Sequence, residues 1–98
     1  MNVATEIINQ LGGNKFLAMT GSKNFVFDEK NASLSMHLTT NKAKAKYLQI
    51  ELKENDTYTM TFRGKKGFEF PVVAQHENVY CDKLQTIFTT VTGMDTTL

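Results

Sequence analysis

The sequence predicts a two-layer α+β domain, with a mostly antiparallel five- to six-stranded sheet packed by an N-terminal and a C-terminal helix. Helical spacing of apolar residues marks both ends: Val3, Ile7, Ile8 and Leu11 near the start, and Leu84, Ile87, Phe88 and Val91 near the finish. Between them, residues 33–38, 47–53 and 57–63 alternate apolar and polar with a period of two, as strands with one buried face do. Short polar or glycine-containing turns separate the segments. With no linker, repeat or low-complexity tract, residues 1–98 read as a single domain.

The first helix is expected over roughly residues 2–11, stopped by Gly12-Gly13. A helix so short is marginal alone and must dock its apolar stripe. Phe16–Thr20 and Asn24–Asp28 flank Gly21-Ser22-Lys23 and read as a hairpin of two short strands. After the polar turn Asp28-Glu29-Lys30-Asn31, Leu34, Met36 and Leu38 share one face, and Ser33, Ser35 and His37 the other.

The clearest hairpin joins Tyr47–Lys53 to Thr57–Arg63 through Glu54-Asn55-Asp56. Its inward residues are Leu48, Ile50, Leu52, Tyr58, Met60 and Phe62; Tyr47, Gln49, Glu51, Thr57, Thr59 and Thr61 face outward. Phe68–Val73 reads as a last strand, where Pro71 implies an edge position or a bulge. Tyr80, Leu84, Ile87, Phe88 and Val91 form the stripe of the second helix, with Asn78 or Asp82 as N-cap and Gly93 as the stop. The expected core is Ile7, Leu11, Leu48, Ile50, Leu52, Tyr58, Met60, Phe62, Leu84, Ile87, Phe88 and Val91. Thr96, Thr97 and Leu98 read as a frayed end.

Composition narrows the function classes. A chain of 98 residues buries a core without disulfides or a metal, and 41% hydrophobic with 21% charged residues excludes a disordered chain. A net charge of +1 excludes a histone-like basic protein and an acidic DNA mimic. A single cysteine, Cys81, forms no internal disulfide, so a reducing cytoplasm is the expected location. The start lacks the basic region and apolar core of a secretory signal, and Asn2 excludes N-myristoylation. No window of eighteen apolar residues suggests a membrane span.

Within that balanced composition the cations are unevenly placed. Lys42, Lys44 and Lys46 lead into one strand of the clear hairpin, and Arg63, Lys65 and Lys66 follow the other, so all six gather at its open end. The turn end carries Glu51, Glu54 and Asp56 instead. Clustered cations on flexible loops suit a phosphate backbone, which needs positive charge more than fixed geometry, and the outward Tyr47 is placed to stack on a base or ribose. The plainer account is a pair of solvated loops whose lysines aid solubility and block edge pairing. No RNP aromatic motif, helix-turn-helix pattern or zinc-finger spacing decides between them.

The open sheet face, with Ser33, Ser35, His37, Gln49, Glu51, Thr57, Thr59 and Thr61, is a second candidate surface. It suits a protein partner, with Tyr47 as anchor, or is simply the wet side of two layers.

Catalytic and metal constellations are poor, and no enzyme activity, metal or cofactor is expected. His37 and His76 sit apart, Cys81 is expected beside the apolar stripe as a small hydrophobe, and His76, Glu77 and Cys81 lack metal-ligand spacing. Gly64-Lys65-Lys66-Gly67 is followed by a strand rather than by the helix N-terminus a phosphate loop needs.

The run Leu11-Gly12-Gly13-Asn14-Lys15-Phe16-Leu17-Ala18-Met19-Thr20-Gly21-Ser22-Lys23-Asn24-Phe25, with Tyr80-Cys81-Asp82-Lys83-Leu84-Gln85-Thr86-Ile87-Phe88 and Thr92-Gly93, resembles a family of small uncharacterised proteins of bacteriophages and other mobile elements. Residues 29–46 are more idiosyncratic. The resemblance implies no activity and transfers no site residue. It implies a host-cell cytoplasm and partners among DNA, RNA and host or phage proteins.

The expectation is a non-enzymatic accessory protein that binds DNA or RNA through Lys42, Lys44, Lys46, Tyr47, Arg63, Lys65 and Lys66. The alternative is a protein-interaction module that modulates a host or phage protein through the open sheet face. Self-assembly, for example as a homodimer through a sheet edge, is a third reading.

Overall fold

A computed structural model describes residues 3–94; the start of the first helix at residue 2 and the C-terminal end expected to fray lie outside the described residues. The order is α1 (Val3–Leu11), α2 (Asn14–Thr20), β1 (Lys23–Asp28), β2 (Ser33–His37), β3 (Tyr47–Leu52), β4 (Tyr58–Arg63), β5 (Val72–Val79), a 3-10 turn (Cys81–Lys83) and α3 (Leu84–Thr92). All five strands form one antiparallel sheet in sequence order, β1-β2-β3-β4-β5. The α+β architecture with flanking helices is therefore as the sequence predicts.

One expectation fails at the start. Phe16–Thr20 is not a strand but most of α2, so the N-terminal layer is a pair of helices and the sheet has five strands. Lys15, Leu17, Ala18 and Met19 are all good helix formers, and a short apolar run does not by itself distinguish strand from helix. Gly21 closes α2 in the left-handed conformation (φ 66°), its N–H donating to the Leu17 carbonyl at 3.1 Å. Thr20 turns its hydroxyl back onto the Phe16 carbonyl at 2.7 Å, which keeps a buried polar group satisfied. Phe16 is thereby delivered into the core, edge-on to Phe88 with ring centroids 5.0 Å apart.

The core lies between the helices and one sheet face. Ile7, Leu11, Phe16, Leu84 and Phe88 meet Leu34, Met36, Leu48, Ile50, Met60 and Phe62, with Tyr58 and Val79 at one margin. Of the expected core, Leu52, Ile87 and Val91 are only partly buried. The β3–β4 hairpin pairs in the anticipated register, from Leu52 opposite Tyr58 to Tyr47 opposite Arg63.

The last strand also departs from expectation. It begins after Pro71 and runs Val72–Val79, while Phe68–Phe70 belong to a tight turn before it. Pro71 does mark an edge: β5 pairs only with β4, with register shifts near both of its ends. The second of these sits beside Asn78, at φ 56°. Neither proposed N-cap holds. Asn78 is inside β5, Asp82 is inside the 3-10 turn, and Tyr80 precedes that turn with no side-chain cap. Tyr80 and Cys81, expected on or beside the apolar stripe, are both exposed, because the chain has not yet entered α3. Gly93 ends α3 in the left-handed region as anticipated (φ 75°).

Candidate nucleic-acid interface

The open end of the hairpin is more organised than a pair of solvated loops. Residues 38–46 close back onto the sheet: the Leu38 N–H donates to the Lys46 carbonyl at 2.8 Å, and the Lys46 N–H to the Arg63 carbonyl at 2.7 Å. Asn41 is the hub. Its amide donates to the carbonyls of Thr39 and Ala45, both at 2.8 Å, and its side-chain oxygen accepts from the N–H groups of Ala43 and Ala45, both at 3.2 Å. The segment is also tied to the helix layer. Thr39 donates its hydroxyl to the Thr20 carbonyl at 2.6 Å, and the Lys42 N–H reaches the Thr92 carbonyl at 3.2 Å.

Residues 64–71 form a finger beside this loop. Lys66 and Glu69 exchange backbone hydrogen bonds at 2.9 and 3.0 Å around Gly67-Phe68. Gly67 takes φ 64° as the first of the two central residues, a position where a tight hairpin turn of the II′ type favours glycine. Phe68 stands at the tip and is fully exposed. At the base, the Gly64 N–H donates to the Pro71 carbonyl at 2.9 Å. A Cβ added at Gly64 would lie 3.4 Å from the Lys44 carbonyl oxygen, so the finger and the lysine loop meet there.

On the open sheet face these elements form a shallow, open groove of about 440 Å³ lined by Tyr47, Arg63 and Phe70. Tyr47 is held between two edge-on neighbours, His37 at 4.6 Å and Phe70 at 5.2 Å between centroids. Arg63, directly across the ladder from Tyr47, donates from Nη1 to the Phe70 carbonyl at 3.1 Å and so fixes the return of the finger. His37 is itself held, its Nδ1 lying 3.2 Å from the Asn24 side-chain amide nitrogen.

The structure brings Tyr47, Arg63, Lys44, Lys46, Lys65 and Lys66 to this end, but it sets Lys42 apart. The Lys42 stem lies over Gly93, where a Cβ would be 3.0 Å from its Cδ. That places a cation at the C-terminus of α3, the end of the helix dipole that favours positive charge. Among the described residues the one ion pair is Lys53 with Glu51, so none of the six cations is neutralised by a carboxylate contact. Phe68 and Phe70 join the candidate surface only in the structure, because in the sequence they read as part of a strand; the signal available was glycine, then two aromatics and proline, directly after a lysine pair.

The open face itself differs from a wet threonine surface. Thr59 and Thr61 do lie on the side away from the helices, yet they are 9% and 6% exposed, enclosed by neighbouring strands. Gln75 of β5 reaches across to donate to the Thr61 hydroxyl at 3.1 Å. Ser33 and Thr57 are buried as well.

The opposite end carries a larger depression of about 600 Å³ lined by Lys53, Glu54, Asn55, Thr59, Glu77 and Asn78. Among the described residues no three His, Cys, Asp or Glu side chains gather as metal ligands, and no helix is long and apolar enough to cross a membrane.

Compared with protein-family models, curated proteins and solved structures, the chain matches none. The likeness to phage and mobile-element proteins rests on the sequence runs alone.

Proposed function

We propose that this is a non-enzymatic accessory protein of a phage or other mobile element, acting in the host-cell cytoplasm and binding nucleic acid through the basic end of its sheet. The observation that carries the reading is that cations without ion-pair partners share one end of the sheet with an aromatic groove lined by Arg63. Cations without ion-pair partners gain most from a polyanion, because no existing ion pair must be broken and the strand's condensed counterions are released. Aromatic faces beside them match the second requirement of nucleic-acid grooves, a surface for bases or riboses. Lys44, Lys46, Arg63, Lys65 and Lys66 form the phosphate-tracking set, and Tyr47 with Phe70 the stacking set; Lys42 contributes at the periphery.

A protein partner on the open face is less well supported. The threonines that would form its centre, Thr57, Thr59 and Thr61, are buried.

The test is a titration of a labelled oligonucleotide with the full chain at increasing salt. Five phosphate contacts give a slope of about −3 to −4 in log K against log salt for a single strand. A flat profile, or no binding at low salt, would contradict the reading.

A further inference from the structure

The groove has a more specific consequence than charge attraction. We propose that the open groove lined by Tyr47, Phe70 and Arg63 receives an unstacked base on its exposed aromatic surface, so that the protein selects single strands over duplexes. The inference rests on the nucleic-acid reading above and names which form of nucleic acid that site takes.

Tyr47 and Phe70 stand edge to face at 5.2 Å, and the groove they form with Arg63 opens to solvent rather than into the core. Phe70 remains 44% exposed although it packs on Tyr47, so one aromatic surface is left without a partner. Both rings are held in place, one from behind and one through the backbone. His37 backs Tyr47, and the bond from Arg63 to the Phe70 carbonyl pins the finger that carries Phe70. Arg63 spends one donor on that carbonyl, and its guanidinium has further N–H groups for acceptors on a base edge or a phosphate. An apolar groove alone would suit many occupants. Its surroundings are what select one, because Lys44, Lys46, Lys65 and Lys66 are exposed at the same end of the sheet without ion-pair partners. A flat apolar ring attached to a repeating anion fits both features. In a duplex the bases are stacked and paired, and their faces cannot enter such a groove.

Anisotropy titrations of the full chain at fixed low salt test this with labelled oligothymidylate, oligouridylate, an abasic strand of the same length, and a duplex. The expected result is binding of both base-containing strands about tenfold or more tighter than the abasic strand or the duplex, the relative affinity of the first two separating DNA from RNA. Phe70→Leu keeps an apolar side chain but removes the ring face, and should erase most of that preference while leaving the salt slope unchanged. Should that variant fail to fold, tyrosine emission gives the same answer: oligothymidylate should quench it in the parent and the abasic strand should not, and the quenching should be lost in Tyr47→Phe although Tyr58 and Tyr80 remain. Equal binding of abasic, duplex and base-containing strands would overturn the base site and leave the nucleic-acid reading standing. Binding to none of the four probes would overturn both.

Discussion

The two ends of the β3–β4 hairpin are each organised by an asparagine, and they are organised differently. At the turn end, the Asn55 side-chain oxygen accepts from the Thr57 N–H at 3.3 Å and from the Thr57 hydroxyl at 2.6 Å, which helps to shape a local turn. At the open end, Asn41 makes four hydrogen bonds that hold a whole segment, and that segment is tied to the ends of α2 and α3. Glu54 and Glu77 line the first end beside Lys53, which is paired with Glu51, whereas unpaired lysines, Arg63 and exposed aromatics occupy the second. A turn needs only to reverse the chain, and the two Asn55 bonds do that together with backbone bonds from the Lys53 N–H to the Thr57 carbonyl at 2.8 Å and from the Asp56 N–H to the Lys53 carbonyl at 3.1 Å. Holding like charges close together against their repulsion requires backbone fixed by other means, which the Asn41 hub and the finger supply.

The comparison breaks most readily at the charges. Replacing Lys44, Lys65 and Lys66 together by Glu should lower affinity for a single strand by at least about a hundredfold at low salt, since like charges then face the phosphates. All three side chains are exposed, so the thermal transition should remain cooperative. The mirror change, Glu54→Lys with Glu77→Lys, should leave affinity within a few-fold of the parent; a comparable change in affinity there would mean that binding follows net charge rather than one end.

Next come the two asparagines. Asn41→Ala leaves carbonyls and N–H groups of residues 39–45 to find water and should cost about 1–3 kcal/mol in denaturant unfolding, with a further drop in affinity from the loosened lysine loop. Asn55→Ala should cost about 1 kcal/mol or less and leave binding unaltered. Equal losses in the two variants would contradict the distinction between a scaffold and a simple turn.

These are also the places where sequence and structure part company. The β3–β4 register was readable because alternation over two adjacent segments permits one pairing, Leu52 with Tyr58 through Tyr47 with Arg63. The gathering of Arg63, Lys65 and Lys66 opposite Glu54 follows from that register. What periodicity cannot show is a hub: Asn41 lies in an irregular segment, and nothing in its neighbours signals that four backbone groups converge on it. Phe16 misled for the opposite reason, since a short apolar run fits either period until Gly21 and the helix formers before it are weighed. Phe70 was hidden by a boundary error, because reading Phe68–Val73 as a strand folds the finger into the sheet and removes its aromatics from view.

Smaller effects sharpen the picture. Phe68→Ser should not change stability, because the ring is fully exposed, and should weaken strand binding less than Phe70→Leu does. Tyr58, paired with Leu52 at the turn end, has its phenol held above its ordinary value of about 10, chiefly by burial and secondarily by the Glu6 carboxylate. The folded chain therefore keeps a proton that the unfolded chain releases. This contribution to stability is intact below pH 10 and declines as pH rises further. Tyr58→Phe should flatten that alkaline decline, as chemical denaturation across the range would record.

The most direct measurement is a map of backbone amide shifts of the isotopically labelled full chain during titration with oligothymidylate. The account predicts perturbations concentrated at residues 41–47 and 63–72, with residues 53–56 and 77–78 unchanged. Perturbations centred on the Glu54 and Glu77 end, or none at saturating strand, would contradict it.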